Sequence, residues 1–324
     1  MRLYKYVIRR VLYLIPLFIG VSIIVFVLTR LAGDPVQLMY ALNPRISHQQ
    51  IEQLRQYFGL ADNPFDQYWR WLTNFVQLNF GMSILYSASV NTIIAQKAWN
   101  TIELQIIALL LALAIAIPIG ITSARKQYSK TDMSVTSFAL LGTSIPVFFT
   151  GLISILVLAN WVLWFPYGGY VTAEPGVPLF GNYFIDHAWH LVLPVTILTV
   201  ADLATIVLLV RSSMLEVLRQ DYILAATASG LSERTVIYKH GLRNVMIPVI
   251  TYIGLYLGGM LAGAPITETV FNWPGLGKLY VQAVGQLDYA IIQAVTMLIT
   301  LMTLAANLVT DILYAYLDPR IRLD

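Results

Sequence analysis

The 324-residue sequence contains no cysteine. This excludes disulfides, thiolate metal sites and a cysteine nucleophile, although it does not fix a redox compartment. Charge is also scarce. Asp, Glu, Lys and Arg make up 11% of the chain, where a soluble domain carries about a quarter. No G-x-x-x-x-G-K-[ST] loop is present. Gly277-Lys278 lacks the upstream glycine and the following hydroxyl, so the usual cradle for nucleotide phosphates is missing. H-E-x-x-H is absent too, and Gly142-Thr143-Ser144 comes with neither a complete nucleophile motif nor a membrane-placed histidine base. No acidic relay runs through several apolar segments, so a proton-coupled carrier is unsupported. The expectation is a chain that is not itself an enzyme and carries no cofactor or metal of its own. The net charge of +3 gives no reason to expect a nucleic-acid partner.

What is present is apolar length. The chain is 58% hydrophobic with a mean hydropathy of +0.70. Runs long enough to span a bilayer, about 20 residues each, occur near 9–30, 101–123, 134–163, 190–210, 246–267 and 289–314. The expected class is an all-α integral membrane protein with six transmembrane helices and a lipid environment. The run after Arg9-Arg10 is too long for a secretory h-region and lacks a cleavage site, so it reads as a retained anchor. With the N-terminus inside, 14 of the 20 basic residues fall on inner segments. The six outside are Arg30, Arg45, Arg55, Arg70, Lys97 and Lys278. The positive-inside rule then places both termini in the cytoplasm.

The longest polar interruption in the second half runs from Arg211 to Pro248, and this orientation makes it cytoplasmic. Gly230 is expected to close a helix over Tyr222–Ser229, because glycine takes the left-handed C′ position cheaply. Ser232 suits the next N-cap, with Glu233 in the first turn. Lys239 and His240 fall in the last turn, and Gly241 is expected to close that second short helix. Two short helices joined at a glycine make a docking knob rather than an active site.

Here a resemblance enters. Ala225, Ala226 and Gly230 match the Ala-Ala-x-x-x-Gly core found in membrane subunits of ATP-binding-cassette importers. The wording DYILAATASGLSERTVIYKHGLRNVMIPV resembles the dipeptide, oligopeptide and nickel permease branch. Leu224 stands where the general motif has Glu. The first span, FGLADNPFDQYWRWLTNFVQLNFGMS, DHAWHLVLP, PITETVFNWPGLGKLYVQAV and the NLVTDILYAYLDPRIR ending resemble the same branch, in order, over nearly the whole chain. The resemblance implies a type-1 importer permease core over 91–318. It is preceded by a first helix and an outer helical segment (1–90) and followed by a short tail (319–324). It also implies a homologous second permease, one or two cytoplasmic ATPases holding ATP and Mg, and an extracytoplasmic solute-binding protein. The implied ATPase-coupling residues are Asp221, Ala225, Ala226, Gly230, Leu231, Ser232, Glu233, Arg234, His240 and Arg243. Di- and oligopeptides are the implied cargo, with small oligosaccharides, nickel or glutathione as alternatives. An ion-coupled carrier or channel would also have six spans but gives no reason for the docking knob.

Other residues leave choices open. In the outer segment, Ser47 is expected to cap a helix ended by Gly59, and Trp69, Trp71, Phe75 and Phe80 suit the headgroup level. That segment either anchors the fold or forms a platform for a binding protein. Pro146 and Gly151 mark a bent third span. His187 and His190, beside Asp186, have conceivable metal spacing but no convincing third ligand, and read as interfacial residues. Asp202 lies well inside the fourth span, where a charge is costly; it either lines a pathway or packs. Asp311 reads as a structural contact. Glu268, followed by Phe271 and Trp273, either gates a pathway or holds the turn before Pro274-Gly275. Gly254, Gly258, Gly259 and Gly263 recur at about one-turn spacing and give small faces for helix contact, within the subunit or against a partner.

Overall fold

A computed structural model describes residues 3–33, 36, 48–57, 62–172 and 181–317. The described residues fold into helices α1 (Leu3–Leu31), α2 (His48–Tyr57), α3 (Pro64–Val76), α4 (Val90–Arg125), α5 (Lys130–Ser144), α6 (Val147–Trp161), α7 (Tyr183–Val217), α8 (Asp221–Ala228), α9 (Glu233–Ala262), α10 (Pro265–Val270), α11 (Leu276–Gly285) and α12 (Tyr289–Leu317). Helices α1, α4, α7, α9 and α12 are long and apolar enough to cross a membrane. The pair α5–α6 forms a sixth, broken span with a bend of 94°.

The break follows from one dipeptide. A residue preceding proline is driven out of the helical region, and Ile145 is extended at φ −85°, ψ 125°. Pro146 then starts α6, where its missing N–H costs nothing. At the other end of α5, Ser129 caps the helix by accepting from the Asp132 N–H.

Helices α4 and α7 form the spine. At 36 residues α4 is about 54 Å long, well beyond a hydrocarbon core of about 30 Å. The two cross where Gly120 faces α7; a Cβ there would sit 2.8 Å from the Val210 side chain. Around this crossing Ala112, Ala116, Ile206, Val207 and Met214 pack with Val245 and Val249 of α9. A second core joins the start of α4 to α11 and α12 through Val90, Leu279, Ala283 and Ile291. Along α9, Gly254 and Gly258 meet α12: an added Cβ would lie 2.0 Å from Thr310 Oγ1 and 3.1 Å from Ala306 Cβ, respectively. Their small faces therefore serve packing within the subunit. Gly259 has open space, and Gly263 lies at the Glu268 turn.

Helix α1 packs on α12 and carries α3. Phe26 rests on Tyr68 and Trp71, and Phe18 on Phe75, leaving Phe65 and Trp69 outward. Ser22 also bonds the Tyr68 hydroxyl at 2.8 Å. So α3 is stapled to the first span by its aromatic face. The turn after it places Phe80-Gly81 beside Asn91, whose side chain accepts from the Phe80 N–H. At the opposite end of α1, Arg10 pairs with Asp311 at 3.2 Å, giving Asp311 the structural contact expected of it. Ser47, Gly59, part of the outer loop (173–180) and the ending from 318 lie outside the described residues.

Candidate functional site

The knob is built largely as its residues dictate. Helix α8 spans Asp221–Ala228, and Gly230 takes φ +77°, the left-handed conformation its position requires. Ser232 caps the next helix through the Thr235 N–H. The expected stop at Gly241 is wrong. Gly241 is helical (φ −76°, ψ −57°), and the segment passes through a π-helical turn at Val236–Gly241 into the fifth span. Gly241 is buried against Met214 of α7, where an added Cβ would make an ordinary contact at 3.5 Å. The second arm of the knob is therefore the first part of span α9.

Only Ile223 of α8 is buried; it sits on the side where α8 packs against the π-helical turn. Asp221, Leu224 and Ala225 are exposed, as are Gly230, Leu231, Ser232, Glu233, Arg234 and Arg243, while Ala226 and His240 are half-buried. Asn244 donates to the Tyr222 hydroxyl at 2.6 Å, tying α8 to α9. Leu224, 59% exposed, and Leu231 and Tyr238 give this polar loop an apolar outer face.

The knob is backed by two ionic joints. Arg125, at the end of α4, donates from Nε (3.0 Å) and Nη2 (2.7 Å) to Glu233 Oε1. Deeper, Arg211 of α7 grips Asp132 of α5 through two bonds of 2.5 and 2.8 Å. Asp132 also accepts from Ser123 Oγ (2.5 Å) and the Tyr128 N–H (2.9 Å) and is 3% exposed. One carboxylate thus locks the ends of α4, α5 and α7 together beside the knob. Sequence reading missed this joint. Its one local signal was a lone acid among the basic residues of ARKQYSKTD.

Three polar groups lie further along the bundle. Asp202 of α7 accepts from the Tyr252 hydroxyl of α9 at 2.9 Å.

The second group is Glu103, whose Oε1 meets His187 Nε2 at 2.9 Å. His187 Nδ1 lies 3.1 Å from the Tyr170 carbonyl, and its ring packs against both Tyr170 and Trp273, which also touch each other. His190 is buried beside Asp186, which accepts from Thr172. The two histidines are therefore members of polar clusters, His187 partly buried against Tyr170 and Trp273 and His190 buried beside Asp186. Among the described residues no group of three His, Asp or Glu is placed to hold a metal ion.

The third group is Glu268, fully buried. Helix α11 begins at Gly275, whose N-cap position offers no side-chain acceptor. Glu268 supplies one from a neighbouring turn. Its carboxylate accepts from the Lys278 N–H at 2.9 Å and from Thr101 Oγ1 at 2.9 Å, and Thr101 in turn accepts from the Leu276 N–H at 2.7 Å. A Cβ on Gly275 would fall 2.4 Å from Glu268 Oε2. Burial pushes the Glu268 carboxyl up, and these hydrogen bonds pull it back. Phe271 and Trp273 are equally buried; the Phe271 carbonyl accepts from the Gly169 N–H at 2.8 Å, and Trp273 donates to the Asn100 carbonyl at 2.9 Å. The three residues form a strut that pins the turn between α10 and α11, with Gly169, to α4.

Comparison with known proteins follows the same lines. Over residues 116–323 the sequence matches the family described as binding-protein-dependent transport system inner membrane component. It is 43% identical over 318 residues to the oligopeptide transport system permease protein AppB of Bacillus subtilis (strain 168), covering 98% of each chain. It is 37% identical over 336 residues to the dipeptide transport system permease protein DppB of Escherichia coli (strain K12), again covering 98% of each. A chain of the MetNI methionine ABC transporter, in a structure described as inward facing, superposes with a TM-score of 0.54 at 16% identity. That match covers 70% of this chain and 96% of that one, and shows the type-1 importer permease fold. With its fold and sequence in agreement, the chain belongs to the family of binding-protein-dependent transport system inner membrane components.

Proposed function

We propose that this chain is one of two permease subunits of an ATP-driven, binding-protein-dependent importer of di- and oligopeptides. The observation that carries the reading is the knob: an exposed helix and glycine turn whose second arm is continuous with a membrane span. A force applied to α8 and the Gly230 turn reaches α9 without crossing a loop, and reaches α4 and α7 through Glu233–Arg125 and Asp132–Arg211. Such a part suits a cytoplasmic ATPase that engages it in one state more strongly than in another, which is the differential interaction that switching needs. Asp221, Ala225, Ala226, Gly230, Leu231, Ser232, Glu233, Arg234, His240 and Arg243 form or flank the docking face. ATP and Mg belong to the partner ATPase.

Both termini lie in the cytoplasm on the count of basic residues, with the core over 91–318 and the outer helical segment over 1–90. A homologous permease completes the pathway, and an extracytoplasmic binding protein delivers cargo. The peptide assignment rests on the names of the relatives AppB and DppB. Glu268, Phe271 and Trp273 act as a strut at the outer end rather than as a moving gate, since every described partner of Glu268 is a fixed donor. The test is ATPase activity of the assembled complex in nanodiscs, with its binding protein and a panel of peptides and oligosaccharides. Stimulation by peptides is expected. Stimulation only by oligosaccharides would overturn the cargo, and no association with any ATPase would overturn the reading.

A further inference from the structure

Asp202 is a carboxylate with no cation beside it among the described residues. It lies nineteen residues after the start of α7 and fifteen before its end, so it sits near mid-membrane. Among the described residues no Lys, Arg or His pairs with it. It accepts from the Tyr252 hydroxyl of α9 at 2.9 Å, and Tyr256 stands one turn further along the same helix. Those rings lie 6.1 Å apart, and the Tyr256 hydroxyl also approaches the Gln105 carbonyl of α4 at 3.4 Å. Asp202 is still partly exposed in the single chain. An intramembrane carboxylate does not face lipid. It faces a polar cavity or a cation, and its use is read from what would neutralise it. The place combines a negative charge, two phenol oxygens and a backbone carbonyl, drawn from three spans. Every one of these features attracts a positive group.

We propose that Asp202, with Tyr252 and Tyr256, is a subsite for the α-ammonium group of a peptide in transit. This rests on the peptide-importer reading and adds to it the end of the substrate that the membrane step recognises. The site needs no lasting affinity. A carboxylate held by the Tyr252 hydroxyl and still partly exposed offers a brief ion pair at the depth where a free amine would otherwise be least solvated.

The experiment uses the complete complex in proteoliposomes with its binding protein. Uptake of trialanine and N-acetyl-trialanine is compared for wild type, Asp202→Asn and Asp202→Glu, each normalised to assembled complex. The same binding protein serves every permease, so the variant to wild-type ratio isolates the membrane step. Loss of a charge-assisted contact predicts that Asp202→Asn lowers trialanine uptake about tenfold. Asp202→Glu should restore most of it, and the acetylated peptide should be carried equally by wild type and the Asn variant. If the binding protein does not deliver the acetylated peptide, trialanine is compared at pH 7 and pH 9, on either side of the usual α-amine pKa of about 7.7–8.0. The Asn variant should approach wild type at pH 9. Equal loss for both peptides, or a ratio independent of pH, would assign Asp202 a structural role and overturn the proposal. So would unchanged uptake, or failure of the Asn variant to assemble with the second permease, which would point to a partner's basic side chain. A wild-type complex that carries no peptide at all would overturn the importer reading instead, and the subsite with it.

Discussion

Replacing Glu268 with methionine removes the acceptor at the start of α11 while keeping a side chain of similar length. The Lys278 N–H and the Thr101 hydroxyl, 2.9 Å from the carboxylate in the native protein, then face an apolar group in a site closed to water. A buried donor left without a partner costs about 1–3 kcal/mol, so two cost roughly 2–6 kcal/mol. Glu268→Gln should be milder, because its amide can turn an N–H toward Thr101 Oγ1 and keep its oxygen on the Lys278 N–H. The assay is hydrogen exchange over the 264–285 segment of the purified complex. Local opening free energies set exchange rates, and about 1.4 kcal/mol is a factor of ten. The methionine variant should exchange the first amides of α11 at least tenfold faster, with the glutamine variant between it and wild type. Unchanged exchange combined with lost transport would refute the strut and return Glu268 to a gating role.

Three further outcomes follow from the packing and the knob. Gly230→Val should strain the left-handed turn by about 1–2 kcal/mol, with space around it but no tolerable backbone. Uptake per ATP hydrolysed should fall at normal abundance, and wild-type coupling would contradict the role given to the turn. Gly254→Val should push α12 away at Thr310 and cost about 1–3 kcal/mol, read as a lower thermal denaturation temperature in detergent. Arg211→Met should strand the buried Asp132 carboxylate, at about 3–5 kcal/mol. Arg125→Met should cost no more than about 1 kcal/mol, because both Arg125 and Glu233 are over a third exposed. Thermal denaturation of both variants checks this order.

Much of this architecture was legible from local chemistry. Pro146 announced the broken span, since one dipeptide decides it. Gly230 and Ser232 announced the knob for the same reason. Gly241 misled because a glycine signals a helix stop only where the backbone turns left-handed, and here it stays helical into the span. Phe271 and Trp273 read as an aromatic pair that could gate a pathway, yet they are buried against distant parts of the chain, Phe271 bonded to Gly169 and Trp273 to Asn100, 173 positions away. The Glu103–His187 contact joins residues 84 apart in sequence, and the Asp132–Arg211 joint residues 79 apart. No spacing rule reaches that far. Asp202 was visible as an expensive charge, but its tyrosine partner lies on another span and carries no motif of its own.

The central claim is that an ATPase covers the α8 knob, and the absence of native cysteine makes a direct measurement available. Leu224→Cys places the only thiol of the chain at the exposed apolar centre of α8. Labelling with a membrane-impermeant maleimide is compared for the permease pair alone and for the complex with its ATPases, in inside-out vesicles. The account predicts fast labelling of the permease pair and strong protection in the complex. Equal labelling in both would contradict it.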